Sequence, residues 1–198
     1  MIKIGLTGSI AMGKSEVGRI LEVQGLPLFD SDKEVHQLYD SAEGAALLTS
    51  LVPGAIHNGK VNRKLLSTIV TVDTEKLNEI ETVVHAEIVK RRAAFTTAAE
   101  GQGHSMVVYD VPLLFEKHLE KTVDVIVVVS ASEALQRSRA LARDGMSVEK
   151  FNMIVSRQVP DPEKRKRADY VIENNGTLAE LAERTRDVLN QIKRTHSL

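Results

Sequence analysis

The stretch that most constrains this chain is residues 8–15, Gly-Ser-Ile-Ala-Met-Gly-Lys-Ser, which match the pattern G-x-x-x-x-G-K-[ST]. Residues 2–6 read as a short strand before it, and residues 16–23 have the apolar spacing of a helix after it. In that context the glycines let successive backbone N–H groups point inward at an anion, and the helix adds the positive end of its dipole. The stretch therefore predicts a site for the phosphates of a nucleotide.

Two side chains of this stretch have specific expected roles. Lys14 can reach the β- and γ-phosphates, and the Ser15 hydroxyl can hold Mg²⁺. The residues predicted to bind the nucleotide here are Gly8, Ser9, Ile10, Ala11, Met12, Gly13, Lys14, Ser15 and Glu16.

The rest of the chain alternates strand and helix patterns. Further strands are expected at residues 26–29, 106–110, 124–129 and 170–173, with helical patterns between them. Helix N-caps are expected at Asn62, at Ser130 with Glu133 for a helix that runs to Arg143, and at Thr177 with Glu180. This alternation predicts an α/β fold with a parallel sheet of about five strands and helices on both faces. Residues 33–100 contain no convincing strand. They do contain the longest helical pattern of the chain, from residue 74 to about 100, and this indicates a helical insertion for a second substrate.

Composition excludes several classes of function. The 198 residues suit one α/β domain, and 26 Lys and Arg against 27 Asp and Glu give no reason to expect nucleic acid or a membrane surface as partner. With no cysteine, disulfides, thiol catalysis and cysteine–zinc sites are excluded. No apolar run has transmembrane length, and the first residues enter a strand directly, so we expect a cytoplasmic protein without a signal peptide.

Three aspartates follow predicted strands and are candidates for chemistry. Asp30 and Asp32 come at the end of the second strand, where a carboxylate can orient a substrate hydroxyl, accept its proton or ligate Mg²⁺. The alternative is structural, with Asp32 as a helix N-cap and Asp30 in a turn. Asp110 ends the third strand and is either a Walker B carboxylate that contacts the metal through water or an ordinary strand-end residue.

Spacing alone leaves the basic residues and one histidine with ordinary roles. Arg139 and Arg143 are four residues apart in a helical pattern and therefore share a helix face. This spacing is more typical of a solvated face than of a phosphate contact. The basic run at residues 164–167 has no interleaved aromatic residues and is predicted to be a solvated loop. His85 lies mid-helix among apolar residues, which favours a structural histidine.

The motifs, taken in order, resemble those of dephospho-CoA kinases over nearly the whole chain. They are residues 4–15, Asp-Ser-Asp at 30–32, His85, Val-Pro-Leu-Leu-Phe-Glu at 111–116, Arg139, Arg-Asp at 143–144, Gln158, Ala-Asp at 168–169 and residues 171–176. The resemblance implies a P-loop nucleoside- or nucleotide-kinase-like fold with a helical substrate-binding insertion at about residues 32–100 and a helical lid at about residues 138–160. It implies ATP-dependent phosphorylation of the ribose 3′-hydroxyl of dephospho-CoA to give coenzyme A, with Mg²⁺ and with no obligate protein partner.

The resemblance also assigns roles by position. Asp32 becomes the base, a substrate contact and a metal ligand, with Lys14, Arg139 and Arg143 completing the catalytic set. Metal contacts at Ser15, Asp32 and Asp110 are expected in part through water. The resemblance further implies substrate contacts at His85, Leu113 and Leu114, and nucleotide contacts at Arg139, Asn174, Asn175 and Gly176, the last three beside adenine.

This sequence departs from the usual family pattern at several positions. Ser9 and Ala11 stand where the phosphate loop usually has glycine, Glu16 replaces a usual Thr, Ala86 replaces a common Pro and Ser31 replaces Ala. Without the resemblance, the residues leave two alternative functions open. One is a kinase for another small alcohol or for a nucleoside monophosphate, such as shikimate or AMP, and the other is a nucleotide-dependent switch. The Asn-Lys-x-Asp element typical of GTPases is absent.

Overall fold

A computed structural model describes residues 1–198, and its centre is a five-stranded sheet with the strand order β2-β5-β1-β6-β7. The strands are β1 (Ile2–Thr7), β2 (Leu28–Asp30), β5 (Met106–Asp110), β6 (Val125–Ser130) and β7 (Tyr170–Glu173). β1 lies between β5 and β6, both parallel to it, and β6 pairs in parallel with β7. In this register Leu6 lies opposite Asp110, so the chain leaves β1 and β5 at the same edge.

Nine α-helices connect and flank these strands. They are α1 (Lys14–Val23), α2 (Ser31–Tyr39), α3 (Ala42–Thr49), α4 (Arg63–Val72), α5 (Thr74–Gly101), α6 (Glu133–Leu141), α7 (Val148–Ser156), α8 (Asp161–Arg167) and α9 (Leu178–Thr195). The chain has no helix with both the length and the apolar character needed to cross a membrane.

The chain divides into two compact units, Met1–Phe29 with Ala99–Leu198, and Asp30–Ala98. The first unit holds the sheet. Its core is formed by the apolar faces of β1, β5 and β6 packed with α1 and α9, and includes Ile4, Leu6, Val17, Val108 and Val127. Because β5 is buried on both faces, its sequence is almost continuously apolar, as expected of a central parallel strand.

The second unit contains a hairpin that the sequence did not reveal. β3 (Ile56–His57) and β4 (Lys60–Val61) pair antiparallel around Asn58 and Gly59, which both have positive φ, 50° and 69°. An Asn-Gly pair with two positive φ angles suits the tight turn of a two-residue hairpin. The expectation that residues 33–100 lack strands was therefore wrong, because two-residue strands are too short to produce a period-2 pattern.

Helix ends show which capping predictions were correct. Asn62 caps α4, and Thr177 with Glu180 forms a capping box at α9, both as predicted. The cap of α6 is Ser132, not the predicted Ser130, whose hydroxyl instead binds Asp161.

The basic run at residues 164–167 is helical and not a solvated loop. It forms the C-terminal part of α8, and the Lys164 side chain is fully buried in an ion pair with Glu116, with Nζ 2.9 Å from Oε1. Arg167 lies over the ring of Phe115, 4.4 Å from its centroid, and pairs with Glu120. Sequence charge alone could not show that acidic partners stand opposite this run.

Candidate functional site

Residues 8–15 form a close-packed loop between the end of β1 and the start of α1. Gly13 is the N-cap of α1 with φ +98°, and a Cβ placed there would lie 2.0 Å from Nδ2 of Asn174. A Cβ on Gly8 would lie 2.6 Å from the carbonyl oxygen of Val129. Both glycines of the motif are therefore needed by the packing of the loop, and at Gly13 by the backbone conformation as well.

The middle of the loop is fixed by contacts to Met12. Its N–H donates to Ser9 O at 3.2 Å, and its carbonyl accepts from Nδ2 of Asn174 at 2.9 Å. Its sulfur accepts from the N–H of Ala131 at 3.0 Å. The side chain of Asn174 is thus turned toward the phosphate loop, and the predicted contact of residues 174–176 with adenine stays a prediction.

The N-terminus of α1 supplies donors for an anion. The first N–H groups of any α-helix have no partner within the helix, and here they follow directly from the loop.

Ala11 has φ +61°, a conformation that costs a residue with a side chain about 1–2 kcal/mol relative to the right-handed region. The loop therefore keeps a glycine-like backbone at a position that carries alanine.

Lys14 and Asp110 are brought together at this edge of the sheet. The Lys14 ammonium forms a salt bridge with Oδ1 of Asp110, which ends β5 and is 4% exposed. A carboxylate buried to this degree requires a charge partner or strong hydrogen bonds, and the ammonium supplies one. The structure thus places a buried carboxylate and the motif lysine in direct contact.

The oxygen donors of this edge suit a magnesium ion. Ser15 presents an exposed hydroxyl in the first turn of α1, and Asp110 offers a carboxylate. No group of three or more His, Cys, Asp or Glu side chains could hold a metal anywhere in the chain. A site with few protein oxygen ligands fits Mg²⁺, which usually keeps several waters and takes its remaining ligands from phosphates.

Glu16 is engaged within its own helix. Its carboxylate accepts from Nε of Arg19 at 3.1 Å, and this hydrogen bond lowers the pKa of Glu16 below its ordinary value of 4.5, while slight burial opposes the shift. The pKa of Arg19 is raised by the same bond. Glu16 is therefore ionised at neutral pH and adds favourable charge to the first turn of α1.

The two predicted lid arginines do not share a helix face. Arg139 lies in the last turn of α6 and donates from Nη1 to the carbonyl of Asn174 at 3.0 Å. Arg143 lies beyond the end of α6 at Leu141 and is exposed. The helix stops earlier than the predicted end at Arg143, so the spacing of four residues does not align the two side chains.

The segment after β5 separates the two predicted substrate leucines. Leu113 is 39% exposed, whereas Leu114 is fully buried, with its Cδ1 3.3 Å from the position of a Cβ on Gly5. Leu114 is thus a core residue that fills the space over a glycine of β1, and the expectation that it contacts substrate does not fit this structure. Leu113 stays a candidate contact.

The predicted substrate residues of the second unit are all exposed or at helix ends. Asp30 caps α2 by accepting from the N–H of Lys33 at 2.9 Å, so the cap is Asp30 and not Asp32. Asp32 is exposed in the first turn of α2, and His85 is exposed on α5. The interpretation of His85 as a structural histidine, made from spacing alone, does not fit this exposed position.

Gln136 and Gln158 lie beside the phosphate loop, and the sequence assigned neither of them a role, although Gln158 is one of the residues that carry the family resemblance. Both contact the backbone of Ile10. Their side chains carry no charge, so no sequence signal pointed to their contacts with the loop.

A family model described as dephospho-CoA kinase matches residues 2–180. A dephospho-CoA kinase from Rhizobium etli is 45% identical over 193 residues, which cover 98% of this chain and 95% of that protein. A crystal structure of a protein from Thermus thermophilus is 34% identical with a TM-score of 0.81, covering 96% of this chain and 97% of that one. A dephospho-CoA kinase structure from Campylobacter jejuni has a TM-score of 0.74 at 24% identity, covering 98% of both chains, and supports the fold.

These matches span nearly the whole chain. The predicted P-loop kinase fold is thereby confirmed. The chain belongs to the dephospho-CoA kinase family.

Proposed function

We propose that this chain transfers the γ-phosphoryl group of ATP to the ribose 3′-hydroxyl of dephospho-CoA, giving coenzyme A and ADP. The observation that carries the proposal is the match of residues 2–180 to the dephospho-CoA kinase family. The phosphate loop and its Lys14–Asp110 pair support it, because phosphoryl transfer depends mainly on positioning and charge neutralisation. We also propose that the chain acts in the cytoplasm, as its composition leads us to expect.

In the proposed reaction the 3′-oxygen attacks the γ-phosphorus while the bond to the β,γ-bridging oxygen breaks. Asp32 orients the hydroxyl and accepts its proton, a role that suits an exposed carboxylate with no hydrogen bond to fill its lone pairs. The electron pair of the breaking bond leaves with ADP. His85, within a substrate-binding insertion at about residues 32–100, and Leu113, which follows β5, are proposed contacts of the acceptor.

Lys14 is proposed to bind the β- and γ-phosphates. Its ammonium neutralises Asp110 in this structure, and phosphate oxygens would compete for the same ammonium. Backbone N–H groups of the loop and of the first turn of α1 surround the phosphates. Arg139 and Arg143, in a lid at about residues 138–160, are proposed to neutralise charge on the transferring group, since guanidinium stays charged and offers a fork of donors.

Mg²⁺ is proposed as the metal, with the Ser15 hydroxyl and Asp110 as the protein groups that hold it, and Asp32 as a ligand through water. When bound, the ion neutralises charge on the β- and γ-phosphate oxygens. Residues 174–176 are proposed to border adenine.

The test is ADP release measured with and without dephospho-CoA, for the wild type and for Asp32→Asn. We expect release only with the acceptor, and a loss of kcat of about 10²–10⁴-fold in Asp32→Asn, the usual contribution of a general base. Asp187→Asn is the matched control, because Asp187 is an exposed aspartate on α9. Release without the acceptor would contradict the proposed activity, and an unimpaired Asp32→Asn would contradict the role of Asp32.

A further inference from the structure

Two glutamine side chains hold the peptide groups of Ile10 in the phosphate loop. The N–H of Ile10 donates to Oε1 of Gln158 at 3.0 Å, and its carbonyl accepts from Nε2 of Gln136 at 3.0 Å. Gln136 lies on α6 and is 6% exposed, and Gln158 follows α7 and is half-buried. A carboxamide has both a donor and an acceptor, so the pair satisfies both polar groups of one residue.

An apolar cluster lies beside this contact. Ala11 packs with Ala140 of α6 and Phe151 of α7, all nearly buried. Ile10, Leu141 and Met146 pack against them. Apolar side chains beside the two hydrogen bonds reduce the competition from water on that side, which strengthens the bonds.

We propose that Gln136 and Gln158 are positioning residues that hold the phosphate loop in the conformation that receives nucleotide. The proposal rests on the proposed function for its substrate, and it adds two residues that act through the loop backbone without touching the reacting atoms. A flexible loop must be ordered when it binds phosphate, and a loop already ordered by the protein avoids that cost. The two glutamines supply this order at Ile10, next to the strained residue Ala11.

The expected effect is on nucleotide binding and not on the acceptor. Gln136→Met and Gln158→Met keep the length of the side chain and remove its hydrogen bond. Each should weaken ADP binding about fivefold, the factor that corresponds to one net hydrogen bond. KM for ATP should rise by a similar factor, while KM for dephospho-CoA stays unchanged.

Amide hydrogen exchange at Ile10, followed by NMR on the nucleotide-free chain, reports the contact directly. Gln158→Met should speed exchange at Ile10 about fivefold or more, because the N–H loses its acceptor. Gln158→Glu should restore the protection, since its carboxylate still accepts. Gln102→Met is the matched control, because Gln102 is exposed in the turn after α5.

The experiment combines ADP titration calorimetry, Ile10 exchange and thermal melting for these variants. Weaker ADP binding with faster Ile10 exchange and an unchanged melting temperature supports the positioning role. Wild-type affinity and exchange in both methionine variants overturns it, and so does a loss of affinity that only follows a fall in melting temperature. A wild type that binds ADP but leaves dephospho-CoA unphosphorylated contradicts the proposed function alone, while failure to bind ADP contradicts both.

Discussion

Replacing Gly13 by alanine tests the packing of the phosphate loop most sharply. The added Cβ would lie 2.0 Å from Nδ2 of Asn174, far inside contact distance, and the backbone there has φ +98°. The left-handed conformation costs alanine about 1–2 kcal/mol. Forcing a methyl group into a filled site costs about 1–3 kcal/mol more. We therefore expect Gly13→Ala to lower the free energy of unfolding by about 2–5 kcal/mol.

Gly103→Ala separates the two contributions. Gly103 has φ +83°, but nothing lies within 4 Å of its Cβ position. This variant should lose only the conformational part, about 1–2 kcal/mol. The effect of alanine on the unfolded chain is the same in both variants and cancels in the comparison.

Urea unfolding at equilibrium, with the wild type and both variants measured at one temperature, gives the three free energies. A second background, Asn174→Ala, removes the clashing amide and should bring the cost of Gly13→Ala down toward that of Gly103→Ala. The reasoning is refuted if Gly13→Ala costs no more than Gly103→Ala in the wild-type background.

Two further predictions concern ionisable groups outside the loop. Lys164→Met should lower the free energy of unfolding in urea by about 3–5 kcal/mol, because it leaves the carboxylate of Glu116 buried without its ammonium partner. The double variant with Glu116→Gln should recover much of that loss, and no recovery would contradict the explanation. Burial, with the charge of Glu81 adding to it, raises the pKa of Tyr39 above 10.0. The neutral phenol is therefore favoured in the folded chain. The contribution of Tyr39 to the free energy of unfolding is complete below about pH 10, and it is lost as the pH rises through the pKa of the folded chain. Tyr39→Phe should lose less stability than the wild type in urea unfolding between about pH 9 and pH 11, and parallel losses would argue against the shift.

The strands of the sheet and several helix caps could be predicted, because each of them produces a pattern within a short stretch of sequence. The five strands of the sheet were predictable since buried parallel strands are continuously apolar, as at residues 106–110. The caps at Asn62 and Thr177 were predictable because their side chains act within one helical turn.

What the sequence could not predict depends on contacts between distant residues. Lys164 looked solvated because its partner Glu116 is 48 positions away along the chain, and only the fold brings them together. The contacts of Gln136 and Gln158 with Ile10 were unpredictable for the same reason, since neutral amides carry no charge pattern that points to a partner. Leu114 was expected to contact substrate because it belongs to the Val-Pro-Leu-Leu-Phe-Glu motif at residues 111–116. Its own side chain, however, fills the core beside Gly5.

The central claim is that this chain phosphorylates dephospho-CoA with ATP. The most direct measurement compares kcat/KM for dephospho-CoA, AMP and shikimate at fixed ATP and Mg²⁺, with the position of the new phosphate determined by ³¹P NMR. We expect turnover of dephospho-CoA far above that of the other two acceptors, with the phosphate on the ribose 3′-oxygen. Equal or greater turnover of AMP or shikimate, or a phosphate at another position, would contradict it.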